Sequence, residues 1–184
     1  MSFAASLVAG RTVEQAVAAW LVRQGYCVLP AYAVADNAPH GPRVQTPGGP
    51  LIAPDMLCFN PTETLWVETK LKRGGFSWRR CEPYAGTWQT GIDLYCWRAY
   101  KALAACTPFP VWLMFVQADP IQGPEGPCPV GLFGGELGAL QDARHHTSER
   151  YGGRGMIFFC VDDLVPLATL SEIGLDAPAT DHVA

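Results

Sequence analysis

The sequence predicts an α/β fold in which a central mixed β-sheet is flanked by helices. Three observations predict this class: a helical period near the N-terminus, two adjacent β-type runs joined by turn-forming residues, and a second helical period followed by an apolar strand. The chain has 184 residues, of which 49% are hydrophobic, so it is long and apolar enough to bury a core. We therefore expect a single domain over residues 1–184.

The first predicted element is a helix over residues 12–24, where apolar side chains recur at helical spacing. Thr12 and Gln15 have the spacing of a capping box at its start. Residues 26–34 are rich in β-forming side chains and predict the first strand. Residues 36–50 are crowded with glycine and proline, which favours a long loop.

A β-hairpin is predicted next, from two β-type runs at residues 52–59 and 64–71. The residues between them, 60–63, have the chemistry of a turn. If the turn occupies these residues, the pairing of the two strands places Asp55 directly opposite Glu68.

A second helix is predicted to begin at Thr90, with Asp93 completing a capping box, after residues 72–89, which show no clean period. The nearly all-apolar residues 111–116 then predict a strand at the centre of a sheet. The buried stripe expected on this helix consists of Ile92, Tyr95, Cys96, Ala99, Leu103 and Cys106.

The C-terminal part of the chain is predicted to begin with a loop over residues 118–129, which are rich in proline and glycine. Strands are expected at 130–133 and 156–161, and Asp162 is placed to cap a last short helix.

The hairpin also carries the residues that indicate chemistry. Side chains directly opposite each other on paired strands lie close together, and like charges there destabilise a sheet. The predicted position of Asp55 opposite Glu68 therefore indicates a bound divalent cation, which would offset the repulsion. Carboxylate oxygens are the ligands that Mg²⁺ and Mn²⁺ select. Lys70 lies on the same face as Glu68, where an ammonium group would orient a water for attack, and the carbonyl of Thr69 is a further candidate ligand.

These residues form a recognisable motif. Pro54-Asp55, followed after twelve residues by Glu68-Thr69-Lys70, resembles the signature of the PD-(D/E)XK, or restriction-endonuclease-like, nuclease superfamily. The resemblance implies an α-β-β-β-α-β core over about residues 12–117, with 118–184 as a family-specific extension.

The resemblance also implies roles for individual residues. Asp55 and Glu68 would bind Mg²⁺, for which Mn²⁺ can substitute, and Lys70 would position the attacking water. Many members of the superfamily carry a metal-binding glutamate on the first helix, where Glu14 lies, although a first-turn glutamate is also favoured by the helix dipole. The segment 90–93 with Tyr100 is reminiscent of Holliday-junction-resolvase-like and phage-type branches, and the branch stays open.

A basic band follows the motif. Although the net charge of the chain is −4, residues 70–101 hold seven lysines and arginines against Glu82 and Asp93. Such a band is typical of a groove that follows DNA phosphates, and a solvated basic face is the alternative. The residues expected to contact DNA are Lys72, Arg73, Arg79, Arg80, Arg98 and Lys101.

The sequence thus predicts a Mg²⁺-dependent DNA endonuclease or exonuclease, a phosphodiester hydrolase. An inactive DNA-binding module of the same fold and an RNA-directed nuclease are the alternatives.

The small size suggests that a homodimer would be needed to cut both strands of a duplex. No apolar run has membrane-spanning length, and the seven cysteines contain no CxxC pair, so we expect a cytoplasmic protein with reduced thiols and no membrane partner.

Other candidate residues have simpler interpretations. Tyr100 lies off the predicted stripe and is expected to be packed or half-exposed. His145 and His146 lack an acidic partner at metal-ligand spacing and are interpreted as a surface pair. The glycine pairs at 134–135 and 152–153 are interpreted as turns.

Overall fold

The computed structural model describes residues 3–31, 42–72, 77–79, 86–123, 126–149 and 153–175. The helices in these ranges are α1 (Phe3–Arg23), α2 (Leu94–Cys106) and α3 (Leu137–Asp142). A 3₁₀ turn spans Val161–Asp163. The strands, in chain order, are β1 (Cys27–Pro30), β2 (Arg43–Thr46), β3 (Gly49–Ile52), β4 (Met56–Phe59), β5 (Thr64–Lys72), β6 (Ser77–Arg79), β7 (Thr87–Asp93), β8 (Val111–Gln117), β9 (Gln122–Gly123), β10 (Gly126–Pro127), β11 (Gly131–Glu136), β12 (His145–Ser148), β13 (Met156–Cys160) and β14 (Val165–Ala168).

The main sheet has six strands in the order β1-β4-β5-β8-β11-β14. The β5–β8 pair is parallel, and the other neighbours are antiparallel. A second sheet has the order β12-β13-β7-β6, while β2–β3 and β9–β10 form separate two-stranded pairs. The predicted α/β class with a central mixed sheet is confirmed.

The main sheet separates two hydrophobic clusters. On one side, α1 contributes Val13, Val17 and Leu21 to a cluster with the β5 residues Leu65 and Val67. On the other side, α2 packs between the main sheet and the second sheet, in a cluster that also contains β8, β11 and β13 side chains. Because successive residues of β5 point to opposite sides, Glu68 and Lys70 lie on the face opposite Leu65 and Val67.

The β4–β5 hairpin has the predicted turn and register. Phe59 pairs with Thr64 and Met56 with Val67. The side-chain oxygen of Asn60 accepts hydrogen bonds from the N–H groups of Thr62 and Glu63, which closes the turn between the two strands. The hairpin prediction is therefore confirmed.

The N-terminal region differs from the prediction in two places. α1 begins at Phe3, because the segment before Thr12 contains no proline and its one glycine, Gly10, costs a helix only about 1 kcal/mol. The Thr12 hydroxyl donates to the Val8 carbonyl inside the helix, so the predicted capping box is wrong. The predicted loop 36–50 contains β2, part of β3 and the tight turn between them, since glycine and proline here form a hairpin turn. Residues 36–41 lie outside the described ranges.

The start of the second helix was also predicted wrongly. Residues 90–93 belong to β7, which pairs with β13, and α2 begins only at Leu94. Asp93 occupies the position before the helix but makes no side-chain capping hydrogen bond. The pairing of β7 with a strand more than sixty residues later in the chain overrides the local capping pattern.

The buried face of α2 is rotated from the predicted stripe. Tyr95 is 59% exposed, and Cys106 is exposed as well. The Trp97 ring packs against the Phe159 ring of the second sheet, with 5.3 Å between the ring centroids. This contact buries a side of α2 that the sequence pattern predicted to be exposed. The buried residues of α2 are Leu94, Trp97, Ala99, Tyr100 and Leu103.

In the C-terminal part, β11 and β13 confirm the two predicted strands. Asp162 lies inside the 3₁₀ turn, no side chain caps that turn, and a strand follows it, so the predicted capped helix is wrong. The pair Gly134-Gly135 lies in β11 and forms no turn; a Cβ on Gly134 would lie 2.7 Å from Leu167 Cδ1. The turn predicted at 152–153 falls partly outside the described residues.

Candidate active site

Asp55 and Glu68 meet where β4 begins. Asp55 directly precedes β4, and the hairpin register directs it towards Glu68 in the middle of β5. Its Oδ2 accepts a hydrogen bond of 2.7 Å from the Thr69 N–H. The Asp55 carbonyl accepts a second hydrogen bond, of 2.8 Å, from the Ala31 N–H. One hydrogen bond to its side chain and one to its backbone therefore hold Asp55 in place.

Both carboxylates are removed from solvent. Asp55 is 6% exposed and Glu68 is 2% exposed. The Oε1 of Glu68 forms an ion pair with the Lys70 ammonium, whose side chain is 36% exposed. In the part of the chain that the structure describes, the buried Oε2 of Glu68 has no hydrogen-bond partner. A buried carboxylate oxygen without a partner is costly unless a cation or a water satisfies it.

The electrostatics reflect this crowding. Burial raises the pKa of Asp55 well above its ordinary value of 3.8, and the Glu68 charge adds to the increase, whereas Lys70 and the Thr69 N–H oppose it. Burial lowers the pKa of Lys70, but the charges of Glu68 and Asp55 outweigh burial and raise it above its ordinary value. Lys70 is therefore a cation at neutral pH.

Asp55→Asn is expected to stabilise the metal-free protein at neutral pH. A carboxyl group whose pKa rises on folding stabilises the folded state fully at pH values below its ordinary pKa of 3.8. This stabilisation is lost as the pH rises through the pKa that the group has in the folded state. Thermal unfolding in EDTA should give the variant a higher midpoint than the wild type at about pH 8, with the difference narrowing towards about pH 4.

The exposed Asp142, substituted by asparagine, controls for the change in net charge of the Asp55 variant. A lower midpoint of Asp55→Asn than of the wild type at about pH 8 would show that the Asp55 charge stabilises the metal-free fold.

The oxygen donors suit a hard divalent cation that completes its shell with water. Mg²⁺ is usually bound through one or two carboxylates together with waters and substrate phosphates. Asp55 and Glu68 provide two carboxylates, and the backbone carbonyl of Thr69 lies between Glu68 and Lys70 on β5. A cation here would satisfy the orphaned Glu68 oxygen and lower the pKa of Asp55. Among the described residues, no group of three or more His, Cys, Asp or Glu side chains is arranged to hold a metal ion.

Glu14 approaches the same site from α1. Its side chain is half-buried, and burial raises its pKa, with an opposing effect of Lys70 and a reinforcing effect of Glu68. These effects place Glu14 within electrostatic range of the pair. Its role as a metal ligand stays a prediction.

Tyr100 and Cys96 of α2 lie within electrostatic range of Glu68, and the sequence patterns predicted a catalytic role for neither. Tyr100 is 1% exposed. Burial and the nearby charge of Glu68 raise its pKa well above the ordinary value. The helical spacing of Trp97, Tyr100 and Leu103 is the sequence signal that would have placed Tyr100 on the buried face.

The predicted DNA-binding residues lie in different surroundings. Lys72 is half-buried, and its Nζ donates to the Gly91 carbonyl. Arg98 and Lys101 are exposed on α2, and the Arg98 guanidinium lies 3.4 Å from Glu149. Arg79 belongs to β6, for which the structure describes the strand but not the side chains. Arg73 and Arg80 lie outside the described residues.

The two histidines lie side by side on β12 and are half-buried. The His146 ring stacks on Phe158 at 4.9 Å between centroids, and the His145 Nδ1 lies 2.9 Å from the Ala143 carbonyl. Both histidines belong to the second sheet and are half-buried, whereas the sequence predicted a surface pair.

One solved structure matches most of the length of this chain. This is Hjc, a Holliday junction resolvase from the archaeal hyperthermophile Archaeoglobus fulgidus, whose 1.6 Å structure matches with a TM-score of 0.45 and 11% sequence identity, covering 80% of this chain and 86% of that one. No family model matches the chain, and no curated protein matches its sequence. None of the helices in the described ranges has the length and apolar character needed to cross a membrane.

Proposed function

We propose that this protein is a metal-dependent nuclease that hydrolyses the phosphodiester backbone of DNA. The observation that supports the proposal is the buried pair formed by Asp55 and Glu68, in which one Glu68 oxygen lacks a partner among the described residues while a lysine lies at the edge of the pair. A site that only bound DNA would not need two buried carboxylates, because acidic groups repel phosphates.

In this proposal Asp55 and Glu68 would hold Mg²⁺ or Mn²⁺, with the Thr69 carbonyl as a further ligand, and Glu14 would add negative charge from α1. When bound, the metal neutralises charge on the phosphoryl oxygen and favours deprotonation of water. The water oxygen forms a bond to phosphorus and releases its proton to solvent. The bond from phosphorus to the leaving oxygen breaks, and that oxygen takes up a proton from solvent.

Lys70 acts as a cation in this scheme. Since the neighbouring carboxylates raise its pKa, it keeps its proton at neutral pH and is unsuited to act as a general base. Its ammonium group orients the attacking water and stabilises the negative charge that develops on the phosphate. Partial exposure leaves it accessible to substrate, whereas Glu68 behind it is buried.

A cleavage panel tests the function. Linear duplex, single-stranded, nicked and four-way-junction DNA, with an RNA of the same sequence, are incubated with Mg²⁺, Mn²⁺ or EDTA. Cleavage of any DNA form that requires the metal supports the proposal. Binding of DNA without cleavage under every condition would instead identify an inactive DNA-binding module, and cleavage of RNA alone would identify an RNA-directed nuclease.

A further inference from the structure

The cation of Lys72 is already engaged within the protein. Lys72 ends β5, and its Nζ donates a hydrogen bond to the backbone carbonyl of Gly91 in β7. The same Nζ lies 5.4 Å from the ring centroid of Phe115 in β8, a distance suited to a cation–π contact. Phe115 is 0% exposed and Gly91 is buried, so both contacts face the interior.

Lys72 lies where the chain passes from the main sheet to the second sheet. β5 belongs to the main sheet, and the next strand, β6, pairs with β7 in the second sheet. The pairing of β6 with β7 ends at Ser77 and Gln89, short of Gly91. The contact from Lys72 to Gly91 thus joins the two sheets at a point that β6 does not cover.

The electrostatic surroundings agree with this position. Burial lowers the pKa of Lys72 to about 8, and the like charge of Lys70 adds to the decrease, which Asp93 opposes. A lysine that projects into a phosphate groove would keep its ammonium group in water. The Lys72 ammonium is instead largely withdrawn from solvent.

We propose that Lys72 is a positioning residue that holds the second sheet against the catalytic strand β5, in place of the phosphate contact that the sequence predicts for it. β7 leads directly into α2, which places Tyr100 beside Glu68. By holding β7, Lys72 keeps α2 in register with the candidate active site. The proposal rests on the proposed function only for its DNA-binding readout.

The test compares Lys72→Met, which keeps the length of the side chain without its cation, with Lys101→Met on the exposed face of α2. Affinity for a DNA duplex is measured in EDTA over a series of salt concentrations. Removal of a phosphate contact reduces the magnitude of the negative slope of log affinity against log salt by about 0.9. We expect Lys72→Met to keep the wild-type slope and to bind several-fold more weakly at every salt concentration. A slope whose magnitude falls by about 0.9 in Lys72→Met would overturn the proposal, because that is the loss expected for one phosphate contact.

Amide hydrogen exchange provides a readout that needs neither DNA binding nor cleavage. In Lys72→Met, exchange at β7 is expected to be at least several-fold faster than in the wild type, with β11 unchanged, and Lys72→Arg, which keeps a donor, is expected to restore protection. Unchanged protection of β7 in Lys72→Met would overturn the proposal even if the wild type proved not to bind DNA. Conversely, an inactive wild type with a clear exchange effect would refute the nuclease and leave this role intact.

Discussion

Glu68→Gln should reduce metal-dependent DNA cleavage by at least about 10²-fold. The substitution keeps the size of the side chain but removes the negative charge that would hold the cation and that forms the ion pair with Lys70. An amide oxygen is a weaker ligand for Mg²⁺ than a carboxylate, so the metal concentration needed for half-maximal rate should also rise. Initial rates on the preferred DNA substrate, measured over a range of Mg²⁺ concentrations, give both quantities.

Two further variants make this result specific. Glu136→Gln changes an exposed carboxylate of β11 and should retain wild-type rates, since Glu136 lies outside the candidate site. Lys70→Ala should lower the maximal rate without recovery at high Mg²⁺, because Lys70 orients water and binds no metal. Thermal unfolding of each variant distinguishes lost chemistry from lost structure. Retention of most of the activity by Glu68→Gln would exclude the proposed site.

The largest effect on stability is expected for Gly91→Ala. A Cβ at this position would lie 2.1 Å from the Ile157 carbonyl oxygen and 3.2 Å from the Phe158 Cα, and both atoms belong to the backbone of β13. The strands β7 and β13 must then separate, because a backbone cannot rotate away as a side chain can. Overpacking of this kind typically costs about 1–3 kcal/mol, and we expect a loss at the upper end of that range or above it. Urea unfolding measures the change in the free energy of unfolding.

Gly10→Ala is the matched control for this prediction. Gly10 lies within α1, and a Cβ added there would have no atom within 4 Å, so alanine meets no obstacle. Replacement of a glycine inside a helix stabilises by roughly 0.5–1 kcal/mol. If Gly91→Ala were as stable as the wild type, the close approach of β7 to β13 would be wrong.

The pairing of Asp55 with Glu68 was predictable because its determinants are local. Turn-forming residues lie between two β-type runs, and the length of the turn sets the register of every pair in a hairpin. The hydrogen bonds that Asn60 accepts from Thr62 and Glu63 stabilise this turn, and all three residues lie within four positions of each other. Alternation along β5 then places Lys70 on the side of Glu68 without any information from distant parts of the chain.

The start and buried face of α2 were not predictable from local patterns. Residues 90–93 have the spacing of a helix cap, but β13 supplies strand partners for them from far along the chain. The same second sheet packs against Trp97, which turns the buried face of the helix away from the stripe that its own sequence suggests.

The sequence by itself therefore determined the mixed α/β class, the hairpin, and the presence of two acidic groups and a lysine on neighbouring strands. Only the tertiary structure decided that both acidic groups are buried, that one Glu68 oxygen lacks a partner among the described residues, and that Lys72 turns inward to Gly91. The physical reason is range: turns and strand alternation act over a few residues, whereas burial and the pairing of separate strands depend on segments that meet only when the chain has folded.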